Sequence, residues 1–88
     1  MVTYGDHVSL DPLGERPLYL QLSDLLRSQI LDGTLQPGRP VPSLVQLMGQ
    51  YQVARGTAAK AVQVLVQEGL ARIVPGKGAY VLPQDQRP

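Results

Sequence analysis

Apolar residues recur every three or four positions along RPLYLQLSDLLRSQILDG. Leu18, Leu22 and Leu25 make one row, and Tyr19, Leu22, Leu26 and Ile30 the next. That period gives one wide apolar face and predicts a first helix over about residues 17–32. Pro17 suits its first turn, where a missing N–H costs nothing, and Gly33 can take the left-handed conformation that ends it. The next stretch, TLQPGRPVP, holds three prolines and a glycine, which predicts a loop with a short extended piece at Arg39–Pro42.

The helical period returns in LVQLMGQY. Ser43 stands just before it, and its hydroxyl can cap the orphan N–H groups of a short second helix over about 44–50. Leu44, Leu47, Met48 and Tyr51 supply the buried side of this helix, and QVA is a tight connection onward. A third helix is expected over about 55–68, with Ala58, Ala61, Val62, Leu65 and Val66 facing in and Gly56, Ala59, Lys60, Gln63 and Gln67 facing out. Gly69 ends it.

In LARIVPGKGAYVLP the pattern changes. Two β-rich runs, 70–74 and 79–82, flank Pro75-Gly76-Lys77-Gly78, and Pro followed by Gly fits the central pair of a type II turn. The expected fold is mainly α with a small antiparallel β-hairpin. Two helices joined by a short turn and followed by a hairpin match a winged helix-turn-helix of three helices plus wing. Residues 1–14 show no period and read as an N-terminal arm, 15–83 as the domain, and 84–88 as a C-terminal tail. QDQRP is either the start of a linker or a frayed end.

Composition narrows the chemistry. Eighty-eight residues make one small domain, without cysteine and therefore without disulfides or thiolate metal sites. No run approaches the ~20 apolar residues of a membrane span. The start, MVTYGDHVSL, lacks the make-up of a signal peptide. A soluble cytoplasmic protein is the expectation. The net charge is only +1, but residues 1–50 carry three basic against five acidic side chains, and residues 51–88 carry five against two. A polyanion would meet the second half. His7, the one histidine, stands in the arm beside Asp6, so neither a metal site nor a Ser/His/Asp set can be assembled. Gly76-Lys77-Gly78 lacks the frame of a phosphate loop. The expectation is no enzyme, no cofactor and no metal.

The pattern does fit a DNA reader. Arg55 and Thr57 open the third helix, where free N–H groups and the helix dipole favour phosphate. Lys60 follows one turn later, and Lys77 lies between two glycines that let its backbone approach closely. Gly56 and Ala59 keep the outer face low, as a helix reading base edges requires. Thr57 could meet a thymine methyl, and Arg55 phosphate or a guanine edge.

Six local signals in order resemble the DNA-binding domain of the GntR family of bacterial transcription regulators. They are LYLQL, ILDGTLQPG, VPS, VARGT, AVQVLVQEGL and GKGAYV, together covering about residues 16–82. The resemblance implies a homodimer on an inverted-repeat operator, usually acting as a repressor. It implies DNA contacts from Ser43, Arg55, Thr57, Gly76 and Lys77, to which the residues themselves add Gly56 and Lys60. The chain departs from the family at Val45, where an arginine is usual, at Ala54, where a serine or threonine caps the third helix, and at Ala59, where a second arginine is frequent. Two alternatives stay open at this point: a winged-helix protein-interaction module with reduced DNA binding, and an excised DNA-binding domain of a larger metabolite-gated repressor. A short form without an effector domain would hold no small-molecule effector within this chain.

Overall fold

The computed structural model describes residues 10–88; His7, Tyr4 and most of the expected arm lie outside the described residues. Three helices, α1 (Leu18–Leu31), α2 (Leu44–Tyr51) and α3 (Arg55–Gln67), precede an antiparallel hairpin of β1 (Ala71–Val74) and β2 (Gly78–Val81). A 3₁₀ turn at Gln84–Gln86 closes the chain. This is the winged helix-turn-helix expected from the sequence, with element ends within about two residues of expectation.

The core forms where the apolar rows meet. Leu22, Leu26 and Ile30 of α1 pack against Ala58, Ala61, Val62 and Leu65 of α3, with Leu47 of α2 and Ala71 and Val81 of the hairpin closing the cluster. Leu22, Leu26, Leu47 and Leu65 are fully buried, worth about 1.5–3 kcal/mol each against exposure. Ser23 is also buried on α1, and its hydroxyl donates to the Leu20 carbonyl, so no polar group is stranded there.

Both connections that aim α3 are tight. Gln52, after α2, takes the left-handed conformation (φ 57°), and its side-chain amide donates to the Gly49 carbonyl at 2.7 Å. Val53 then turns into the core. At the hairpin tip the Lys77 N–H donates to the Val74 carbonyl at 2.9 Å, and Gly76 has φ +78°, which a type II turn demands of its third residue.

The extended piece expected at Arg39–Pro42 is present, and it has a partner. Pro40 bridges Tyr80, the Val41 N–H donates to the Ala79 carbonyl, and the Val81 N–H donates to the Arg39 carbonyl. β2 is therefore held along both edges. Residues 87 and 88 touch the domain: the Arg87 guanidinium donates to the Leu82 carbonyl, and Pro88 occupies the space a side chain at Gly69 would need. At the other end, the Gln21 side chain ties Asp11 and Arg16 to α1.

Candidate nucleic-acid interface

Ser43 caps α2 as its place before the helix suggested. Its Oγ accepts from the Gln46 N–H at 3.1 Å, and Gln46 Oε1 accepts from the Ser43 N–H at 2.9 Å, a reciprocal pair that squares off the helix start. The hydroxyl hydrogen of Ser43 remains available to a phosphate. α3 begins differently. Ala54 offers no side-chain acceptor, so the first N–H groups of α3 have no side-chain cap. That end carries partial positive charge and exposed donors.

Three consecutive side chains diverge from this start. At about 100° per residue, Arg55 and Thr57 point to opposite flanks of α3 and Gly56 lies between them, facing away from the core. Arg55 and Gly56 are exposed and Thr57 is half-buried. A Cβ at Gly56 would meet nothing within 4 Å.

A groove of about 640 Å³ runs beside α3, bounded by the start of α2 and the wing. Ser43 and Gln46 stand on one side, Ala59 and Gln63 on the helix, and Ile73 and Lys77 on the wing. Ser43 and Lys77, far apart in sequence, thus share one site. Lys60 does not join them: its ammonium lies over the Tyr19 ring of α1, 5.0 Å from the centroid, on the other flank of α3. Gly76 shapes the turn behind Lys77.

Charge is partitioned across the molecule. Arg16 and Arg27 are engaged by Asp24, and Arg27 reaches on to Glu68 with two hydrogen bonds of 2.8 Å. These bonds raise the Arg27 pKa further, Glu68 contributing most and Asp24 next. Hydrogen bonding from Arg16 first, and then from Arg27, holds the Asp24 carboxyl below its usual range despite the opposing effect of burial. Arg39, Arg55, Lys60, Arg72 and Lys77 form no ion pair among the described residues. Among the described residues, no acidic side chain lines the groove.

Gln46, Gln63 and Ile73 also line the groove. Gln63 stands on the outer face of α3, four residues after Ala59, and that spacing is its signal in the sequence. Nothing local identifies Ile73, whose position follows from the hairpin register opposite Ala79. Val45, in the first turn of α2, is 70% exposed.

Comparison with known proteins bears on this arrangement. The model of the gntR family of bacterial regulatory proteins matches residues 18–81. The chain belongs to the GntR family. Among GntR-type relatives, it is 36% identical over 69 residues to the mannosyl-D-glycerate transport/metabolism system repressor MngR of Escherichia coli K12, covering 78% of this chain and 29% of that protein. The chain thus spans less than a third of the length of that curated relative. Among solved structures, AraR(DBD) in complex with operator ORE1 is similar with a TM-score of 0.76 and 36% identity, covering 83% of this chain and 95% of that one. YtrA from Sulfolobus acidocaldarius, a GntR-family transcription factor, gives a TM-score of 0.78 at 30% identity, covering 88% of this chain and 81% of that one. No helix among the described residues is long and apolar enough to cross a membrane.

Proposed function

We infer that this chain is the sequence-specific, double-stranded-DNA-binding unit of a GntR-type transcription regulator, acting as a repressor. The observation that carries the reading is the convergence of Ser43 and Lys77 on a groove that runs along Ala59 and Gln63 of α3 and has no acidic side chain among the described residues, on a helix whose start is left uncapped. Solved operator complexes of AraR(DBD), 36% identical to this chain, support it.

In this reading α3 lies in the major groove. Gly56 brings the helix backbone close to base edges, Arg55 grips a phosphate or a guanine, and Thr57 meets a base methyl. Ser43 and Lys77 hold the flanking backbone, with Gly76 presenting the wing tip. Lys60 serves from the opposite flank, where Tyr19 steadies its ammonium. Two copies on an inverted repeat would double each contact. The protein would work in the cytoplasm, and none of these steps calls for a catalytic group or a cofactor.

The deciding experiment is selection of bound duplexes from a random pool, followed by affinity measurement over a range of salt. Three cations per protomer on phosphate predict a log–log slope of about −3 per protomer. The exposed apolar side chains Val45 and Ile73 favour a second reading, a protein-interaction module. Duplex binding that is absent or insensitive to salt would move the assignment there.

A further inference from the structure

On the inner face of the hairpin, Ala71 pairs with Val81 and Ile73 with Ala79. The first pair is buried; in the second, Ala79 packs half-buried against the core and Ile73 is left exposed. Ile73 is 51% exposed, a large apolar side chain forming a wall of the groove. Opposite stand Pro42 and Leu44, with Ala59 along the helix. The polar groups Ser43 and Lys77 sit at exposed positions. The wing wall of the groove is apolar at Ile73, and the polar groups of the lining, the Ser43 hydroxyl, the Gln46 and Gln63 amides and the Lys77 ammonium, stand elsewhere around it.

A nucleic-acid strand has the matching alternation: an anionic phosphate, then a sugar whose C2′ edge is a methylene in DNA and carries a hydroxyl in RNA. We propose that the groove holds one deoxyribose-phosphate strand, with phosphate at Ser43 and Lys77 and the C2′ methylene against Ile73, so that this apolar wall selects deoxyribose over ribose. The inference rests on the DNA-binding reading above and deepens it. Charge complementarity argues for this occupant, since no carboxylate lines the groove and the Lys77 ammonium has no acidic partner among the described residues. A 2′-hydroxyl pressed onto Ile73 would lose its water and gain no acceptor from that wall.

The test replaces single nucleotides of a selected operator duplex by ribonucleotides, one position at a time on each strand. Binding of the wild type and of Ile73→Thr is followed by fluorescence anisotropy. Threonine keeps the β-branched shape and supplies a hydroxyl partner, and circular dichroism checks that the variant is folded. One or two adjacent positions in each half-site should weaken wild-type binding by about 5-fold or more, the factor expected of a buried hydroxyl without a partner. Ile73→Thr should reduce that penalty, taken as the ratio to the same variant's affinity for the all-DNA duplex, to less than about 2-fold. Tight duplex binding that is indifferent to ribose at every position overturns the proposal. So does a penalty that persists unchanged in Ile73→Thr, because sugar pucker would then be its source. Failure of the wild type to bind any duplex overturns instead the reading on which the proposal stands.

Discussion

Ser43 and Gln46 satisfy each other's backbone N–H across the first turn of α2. The pair couples helix stability to the hydroxyl proposed for a phosphate contact, and two substitutions pull the roles apart. Ser43→Ala removes the cap and the hydroxyl, and should cost about 1 kcal/mol of stability as well as affinity. Ser43→Asp keeps a good capping acceptor but brings a negative charge to the groove. Thermal unfolding should leave Ser43→Asp near the wild type, while its duplex binding falls further than that of Ser43→Ala. Equal binding by the two variants would remove phosphate from this position.

Gly56 supplies a second separation, between folding and reading. An added Cβ meets open space, and alanine is the better helix former, so Gly56→Ala should stabilise the domain by about 0.5 kcal/mol. If α3 approaches base edges through this residue, the same methyl should weaken operator binding. A chemical denaturation curve and a binding isotherm on one preparation check both halves. A variant that is more stable and binds unchanged would show that Gly56 stands clear of DNA.

Arg55 and Lys77 should differ in kind. Arg55→Ala should cost about 1–3 kcal/mol and relax preference at one operator position if the guanidinium is bidentate to a base. Lys77→Ala should weaken all sequences alike and flatten the salt slope by about 0.9 per protomer. Competition between the selected operator and a scrambled duplex distinguishes the two patterns.

Val45 offers a gain. Its exposed place beside the capping serine is where the family usually carries an arginine, so Val45→Arg should tighten binding at low salt and steepen the slope by about 0.9 per protomer. No change in either quantity would put the first turn of α2 out of reach of the backbone.

The sequence made the helices, the type II turn and the capping role of Ser43 legible, because each is written in a short window: a 3.6-residue period, a Pro75-Gly76 pair, a serine before an apolar run. What it hid are pairings between distant residues. Arg27 and Glu68 are 41 positions apart, and neither stands in a pattern that names the other. Lys60 was legible as an outward cation on α3, yet its direction was set by Tyr19, a residue already accounted for as core. The groove was invisible for the same reason, since Ser43, Ala59 and Lys77 come together only once the hairpin folds back.

The Arg16–Asp24–Arg27–Glu68 chain should leave an acid signature. The folded pKa of Asp24 lies below its unfolded value, so its contribution to stability is present above about pH 4 and is lost as pH falls through the folded pKa. The melting temperature should therefore drop on acidification below about pH 4, and Asp24→Asn should flatten part of that drop. Arg27→Ala breaks both of its bridges and should cost roughly 1 kcal/mol near neutral pH, a fall of about 4–8 °C in a domain of this size.

The two-sided pairing of β2 has a consequence for how a duplex is met. With Val41 and Arg39 bonded along one edge and β1 along the other, only the few residues of the tip are free to swing. A flap hinged at its root could follow a narrow or a wide groove; this one is riveted to the body. Accommodation on that side therefore falls to the nucleic acid, and operators should be ranked partly by how cheaply their flanks deform.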